Sequence, residues 1–314
     1  MKTKSCKYCR DVRKIEGFMS KIAIVTDSTA DLTPAEQAEF GIHVVPLNIH
    51  IGDKVYQDGV DLDRESFFHM LRDPSMPTPY TSPPTVQQFV DVYTQAVDAL
   101  TDDPNEVVDI ISLHISREMS KTIEVAQQAA LQMVGRANVH VVDSRLTSVG
   151  LGLLAKEAAK AIQAGYSIEE AVRMLRGLVN HVYIVFFVET LDFLQRGGQI
   201  GPAQVLLGTM LNIKPILMIE EGQIEPLEKV RTREKAIEKL AEFVAEFGYI
   251  EHITILHHHG DPNEIEHLIT LIRNQRPDVS LDVREYGPVL AVHVGPDALG
   301  VMVSEGLTDN PWDV

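Results

Sequence analysis

A chain of 314 residues is long enough for two domains, each able to bury its own core. Its 28 basic and 45 acidic side chains give a formal net charge of −17, which repels a phosphate backbone and an anionic bilayer surface. We therefore expect no general nucleic-acid binding. Stable membrane insertion is also not expected, because the longest apolar run, residues 182–188, is far shorter than the ~20 residues of a spanning helix.

The first 20 residues are polar and basic and contain the only two cysteines, Cys6 and Cys9. Two cysteines cannot cross-link a chain of this length, so a reducing cytoplasm is the expected location. The segment lacks the apolar core of a signal peptide, and Met19 directly precedes the first strand-like run. We expect a disordered leader over residues 1–20. A zinc or redox role for the cysteine pair would need further ligands that the leader lacks.

Strand-like runs rich in β-branched residues alternate with helical segments in the first half of the chain. The runs lie at residues 22–26, 42–51, 107–114 and 139–142. Helix starts are indicated by capping boxes at Thr33, Thr85 and Ser167, and by Asp63 before a short helix. A proline-rich segment, residues 74–84, is predicted to be a stiff loop. This alternation favours a mostly parallel sheet that is flanked by helices.

Residues 182–188 are predicted to form the first strand of a second α/β domain with a mixed sheet. A hairpin is expected around Glu221 and Gly222, Gly197 and Gly198 are a helix stop, and His293 lies in an apolar strand. The expected organisation is a leader, an N-terminal domain, a second domain and a tail, at residues 1–20, 21–180, 181–307 and 308–314.

Hydroxyl groups recur just after the predicted parallel strands, where α/β proteins bind their ligands. These positions include Thr26, Ser28, Thr29, Ser116, Ser120 and Ser144, together with Thr81 and Ser82 in the proline-rich loop. Helix capping alone would explain most of them. Hydroxyls also donate neutral hydrogen bonds to a carboxylate, and His293 could add a third donor unless it is a core histidine. The pattern indicates one small-molecule site for an acidic ligand.

The common signatures of enzymes and cofactor sites are missing or weak. The chain has neither a phosphate-binding P-loop nor a nucleophile elbow. The glycines at Gly150 and Gly152 indicate helix packing, and a triad of Ser120, His293 and Asp27 has no support from the sequence. Residues 257–261 are interpreted as a loop although they include three histidines. We therefore expect no catalytic residues, no metal and no cofactor.

Seven segments, taken in order, resemble the DegV family. They are VTDSTADL at 25–32, TSPPT at 81–85, residues 114–120, residues 191–200, NIKPI at 212–216, PLEKVR at 226–231 and residues 293–300. The resemblance covers residues 21–306. It implies two α/β domains with a long-chain fatty acid buried between them, its carboxylate held by a threonine and a serine. It also implies a separate fatty acid kinase that phosphorylates the bound acid.

The resemblance implies specific roles for residues of this chain. The threonine that holds the carboxylate is Thr81, and the serine is Ser120, with Ser116 as the alternative. The resemblance also implies a histidine in the site, which is His293, and Ser82 is a further candidate for binding the ligand. The chain departs from the family pattern at Pro83, Thr85, Lys121 and Gln199. The predicted function is a non-catalytic carrier that shields the acyl chain and presents its carboxylate to a partner. The alternatives are an enzyme acting on an acyl or small acidic substrate through Ser120 or His293, and a lipid-responsive regulatory protein.

Overall fold

The structure, a computed structural model, describes residues 21–73, 75–206, 213–258 and 260–306. The strands are β1 Ile22–Asp27, β2 Ile42–Val45, β3 Asn48–Ile51, β4 Lys54–Gln57, β5 Tyr80–Ser82, β6 Val108–His114, β7 Ala137–Asp143, β8 Val182–Phe187, β9 Lys214–Glu220, β10 Gln223–Val230, β11 His252–His257, β12 Ser280–Glu285 and β13 Leu299–Ser304. The leader with Cys6 and Cys9, residue His259 and the tail at 308–314 lie outside the described residues.

Ten α-helices occur in the described part of the chain. They are α1 Pro34–Phe40, α2 Arg64–Leu71, α3 Val86–Asp98, α4 Thr122–Gln132, α5 Ser148–Gln163, α6 Ile168–Leu178, α7 Asp192–Arg196, α8 Arg233–Ala245, α9 Pro262–Gln275 and α10 Pro288–Val294. The predicted capping boxes at Thr33, Thr85 and Ser167 are confirmed, and Asp63 caps α2. None of the helices in the described ranges has the length and apolar character needed to cross a bilayer.

The predicted parallel sheet is confirmed and has four strands in the order β2-β1-β6-β7. Side chains alternate between its two faces, as the pleat of a strand requires. Ile22 and Ile24 pack in a hydrophobic cluster with α5 and α6, whereas Ala23 and Val25 pack in another with α3 and α4. Helices therefore cover both faces, and the carboxyl ends of the strands meet at one edge.

The second half of the chain forms a mixed six-stranded sheet in the order β10-β9-β8-β13-β11-β12. The predicted hairpin is confirmed as the antiparallel pair β9 and β10. Val185 and Phe187 of β8 pack with α8 and α9 on one face. Ile184 and Phe186 point to the other face, which lies toward the carboxyl edge of the parallel sheet. The two sheets thus enclose a space between them.

Three local predictions were wrong. The alternating run at residues 42–51 is divided by Pro46 into β2 and β3, which belong to different sheets. The proline-rich loop contains the short strand β5, which pairs with β3 in a three-stranded antiparallel sheet of order β4-β3-β5. His293 lies in the last turn of α10, a helix that begins with Pro288 at its first position, and not in a strand.

Candidate functional site

An apolar cavity lies between the parallel sheet and the six-stranded sheet. The space between its walls, including the opening to solvent, is about 840 Å³. Its walls are mainly aliphatic, with Ile115, Ile184, Phe186, Ile219 and Leu256 among the lining residues. An elongated apolar ligand would lose its contact with water here, which is the main source of affinity for such molecules.

Two of the predicted site residues meet directly in the cavity wall. Thr81 is supplied by β5 and His293 by the last turn of α10, 212 residues further along the chain. Thr81 Oγ1 and His293 Nε2 are 2.8 Å apart and share a hydrogen bond. Burial lowers the pKa of His293 from 6.5 to about 4. The imidazole is therefore neutral at physiological pH, and the pair forms a polar but uncharged part of the cavity wall.

Gly197, which follows α7, packs against the His293 ring. A Cβ atom at this position would stand 2.2 Å from His293 Nδ1 and 2.9 Å from its Cε1, closer than real Cβ contacts. The same Nδ1 is buried and has no hydrogen-bond partner among the described residues. The glycine therefore leaves room for the ring that bonds to Thr81. The sequence indicated Gly197 mainly as a helix stop, with a contact to an anion or a partner as the weaker alternative, and no local signal there pointed to the histidine.

Ser120 lines the same cavity as Thr81 and His293. Its Oγ lies 2.8 Å from Thr122 Oγ1 and accepts a hydrogen bond from the Thr122 N–H at the start of α4. Gln199 is also a lining residue, and its side-chain amide donates to the Met119 carbonyl. Lys121, by contrast, is exposed and does not line the cavity. The structure thus brings together three of the five candidate ligand-binding residues.

The other two candidates, Ser82 and Ser116, do not line the cavity. Ser82 Oγ is 2.8 Å from His50 Nε2, a contact that links β5 to β3. Ser116 is fully buried and its Oγ donates to the Gly222 carbonyl at 2.7 Å. This bond ties the loop after β6 to the hairpin of the six-stranded sheet. Both hydroxyls hold neighbouring segments in place.

Helix α10 is fixed at both ends by polar contacts. At its start, the Gly287 N–H donates to Asp31 Oδ1 at 2.8 Å, and Ser148 Oγ donates to Asp31 Oδ2 at 2.6 Å. At its end, the Tyr286 hydroxyl donates to the Gly295 carbonyl at 2.9 Å. Burial raises the pKa of Asp31 from 3.8 to about 6. The position of His293 thus depends on a carboxyl group from the turn after β1.

The arrangement of Ser120, His293 and Asp27 as a nucleophilic triad is not present. Asp27 Oδ2 is 3.0 Å from His114 Nδ1, and His114 Nε2 is 2.6 Å from Ser112 Oγ. Those three side chains resemble a Ser-His-Asp series, but each is fully buried and none lines the cavity. The network ties β1 to β6.

The expected packing role of the glycines in α5 is confirmed. A Cβ on Gly152 would lie 2.4 Å from the Ala30 carbonyl oxygen, so the helix packs directly on the turn after β1. Among the residues that the structure describes, no cluster of three or more histidine, cysteine or acidic side chains is arranged to hold a metal ion.

Comparison with known proteins finds relatives that match most of this chain and nearly all of their own length. A family model described as "Uncharacterised protein, DegV family" matches residues 21–306. A DegV domain-containing protein of Streptomyces coelicolor is 38% identical over 285 residues, covering 90% of this chain and 98% of the relative.

Two solved structures share the fold with a TM-score of 0.80 each. One is a fatty-acid-binding DegV family protein from Thermus thermophilus, with 33% identity over 91% of this chain and 100% of that chain. The other is DegV from Bacillus subtilis, described as a fatty acid binding protein, with 30% identity and the same coverage of both chains. The matched length and the shared fold show that this chain belongs to the DegV family.

Proposed function

We propose that this protein binds a long-chain fatty acid in its cavity, in the cytoplasm, shields the acyl chain and presents the carboxylate to a partner such as a fatty acid kinase. The observation that carries the proposal is the convergence of Thr81, Ser120 and His293 at one apolar cavity. The fatty-acid-binding relatives with the same fold support it. Residues 21–180 and 181–307 would be the two domains, because the parallel sheet lies within the first range and the six-stranded sheet within the second.

The acyl chain would supply most of the affinity. Burying ~14 methylenes at ~0.8 kcal/mol each contributes roughly 11 kcal/mol before the costs of association. The head group would add less, because hydroxyls and a neutral imidazole offer hydrogen bonds without a formal positive charge. A carboxylate held in this way keeps its own charge and remains available to react with a phosphoryl donor. Orientation is therefore the main contribution of the polar residues.

Each polar residue has a definite place in the proposed head-group site. With the proton on Nε2, His293 donates to Thr81 Oγ1, which leaves the Thr81 hydroxyl proton for the carboxylate. Ser120 offers a second hydroxyl when Thr122 Oγ1 donates to it. His293 thus acts by orienting Thr81, and the two hydroxyls contact the ligand. Ser82 and Ser116 support the segments that carry them.

Lipid extraction from the purified protein tests the binding step. We expect mass spectrometry to detect a bound long-chain fatty acid, and a delipidated sample to take up palmitate or oleate. Thr81→Val should weaken this uptake, whereas Ser82→Ala should not, because Ser82 lies outside the cavity wall. Absence of both bound lipid and uptake would refute the proposal.

A separate assay tests presentation to a partner. The palmitate-loaded protein is incubated with a fatty acid kinase and ATP, and acyl phosphate is trapped with hydroxylamine. We expect the product to depend on the loaded protein and to decrease in Ser120→Ala more than palmitate binding does. Normal binding without any acyl phosphate would favour the alternative of a lipid-responsive regulator.

A further inference from the structure

A second group of hydroxyls lines the same cavity. Thr147 belongs to it, together with Thr29 and Ser148. Only 4% of Thr147 is exposed, and its Oγ1 is buried without a hydrogen-bond partner among the described residues. Buried hydroxyls in folded proteins nearly always have partners, because an unpaired one loses its hydration without compensation. Thr147 is therefore a polar group in the cavity wall that the protein itself does not satisfy.

The usual local role of such a threonine is not used here. Thr147 is the N-cap residue of α5, yet its side chain makes no capping hydrogen bond. At the equivalent positions of other helices, Thr33, Thr85 and Ser167 each accept from the backbone three residues later. The backbone beside Thr147 is also strained, because Ser148 has a φ of 53°. Local structure therefore does not account for the orientation of this hydroxyl.

The chemistry of the three hydroxyls defines the group they would recognise. Thr29 Oγ1 donates to Asp27 Oδ1 at 2.5 Å, and Ser148 Oγ donates to Asp31 Oδ2 at 2.6 Å. Because the hydroxyl protons of Thr29 and Ser148 are already used in these bonds, their two oxygens can only accept a hydrogen bond from a ligand. The Thr147 hydroxyl can still donate one. A ligand hydroxyl both donates and accepts, so it fits this set. A second carboxylate does not fit, because the carboxyl groups of Asp27 and Asp31 lie directly behind it.

Thr147 lies beside an aliphatic part of the cavity wall. Ile184 lines the cavity, and its Cδ1 lies 2.9 Å from where a Cβ of Gly150 would stand in the first turn of α5. Thr147, three residues before Gly150, is thus next to the part of the wall that Ile184 forms.

We propose that the cavity recognises a long-chain fatty acid with a hydroxyl group on its acyl chain, hydrogen-bonded by Thr147, Thr29 and Ser148. This inference rests on the proposed fatty-acid binding and names the ligand class within it. An unsubstituted chain leaves the Thr147 hydroxyl without a partner. A chain hydroxylated at the matching carbon supplies that partner.

The test compares stearate with a series of stearates that carry a single hydroxyl at successive carbons. These isomers have the same composition, so differences in their affinity report the position of the hydroxyl and not its general cost of dehydration. Competition against a fluorescent fatty acid gives each dissociation constant. We expect one position to bind about 5-fold or more tightly than the others, as a satisfied buried hydrogen bond allows.

Two matched variants test whether Thr147 causes the preference among isomers. Thr147→Val keeps the shape of the side chain and should abolish the preference among isomers while it tightens stearate binding. Thr26→Val is the control, because Thr26 Oγ1 is also buried without a partner among the described residues but does not line the cavity. The control should keep the preference.

Three results would overturn the inference. Stearate could bind while all isomers bind equally, which would remove the hydroxyl site but leave fatty-acid binding intact. The preference could survive in Thr147→Val, which would place the recognition elsewhere. Finally, neither stearate nor any isomer could bind, which would refute the proposed function itself and the inference with it.

Discussion

Replacement of Gly197 by alanine is the sharpest test of the site geometry. The backbone there has φ −74° and ψ −4°, which alanine adopts without strain. The whole penalty is therefore steric, because the new Cβ would stand 2.2 Å from His293 Nδ1. The ring has to move by roughly 1 Å to reach an ordinary contact distance. Such a shift breaks its 2.8 Å hydrogen bond to Thr81.

The expected cost follows from these two effects. Overpacking costs ~1–3 kcal/mol of unfolding free energy, and the lost hydrogen bond adds ~1 kcal/mol. In a His293→Ala background the clashing ring is absent, so Gly197→Ala should cost about 1 kcal/mol or less. Urea denaturation of the four proteins in this double-mutant cycle gives the coupling energy, which we expect to be ~1–3 kcal/mol.

Two further measurements decide the interpretation. Gly177→Ala in α6 is the matched control, because within the described residues nothing beyond its chain neighbours and its own helix backbone lies within 4 Å of the added Cβ. This variant should be neutral or slightly stabilising. Palmitate affinity should decrease in Gly197→Ala together with stability. If Gly197→Ala lowered the unfolding free energy equally with and without the His293 ring, the clash with the ring would not be the cause. That result would refute the reasoning.

Three other predictions concern the polar residues. Thr81→Val should lower the unfolding free energy by ~1–3 kcal/mol and weaken palmitate binding about tenfold, measured by denaturation and calorimetry, with Ser82→Ala unchanged in affinity. Because the folded-state pKa of Asp31 is raised to about 6, its contribution to the unfolding free energy should decrease by up to ~3 kcal/mol as pH rises from 4 to 6, and the difference between the pH profiles of the wild type and Asp31→Asn measures this contribution. The contribution of His293 to the unfolding free energy changes with pH in the opposite direction. Because burial lowers the pKa of His293 to about 4, this contribution of up to ~3 kcal/mol is complete above pH 6.5 and is lost as pH falls toward 4. His293→Ala should abolish that acid-side loss, and an unchanged profile would contradict the assignment.

The sequence predicted those parts of the fold that depend on local signals. Thr33 with Glu36 and Thr85 with Gln88 have the spacing of a capping box, and both form one. Such pairs lie within a single turn, so a few adjacent residues determine whether the capping box forms. The parallel sheet follows in the same way, from short apolar runs separated by well-marked helices.

The wrong predictions lie where tertiary contacts outweigh local preference. Residues 288–294 are rich in valine, which favours a strand, yet they form α10. The Gly287 N–H donates to Asp31, 256 residues earlier in the chain, and so satisfies one of the groups a helix start leaves open. Likewise, the three residues of β5 become an edge strand only because β3 is available to pair with them. No pattern within either segment contains this information.

The geometry of the candidate head-group site also depends on tertiary contacts. Motif matching identified Thr81, Ser120 and His293 individually, but their arrangement also depends on two residues of the matched segments to which the resemblance gave no role in the site. Asp31 positions the start of α10, and Gly197 leaves space for the ring at its end. A relative that kept the three motif residues but had a larger side chain at either position would match the motif without this geometry. The supporting residues are therefore a stricter criterion for this head-group arrangement than the three side chains themselves.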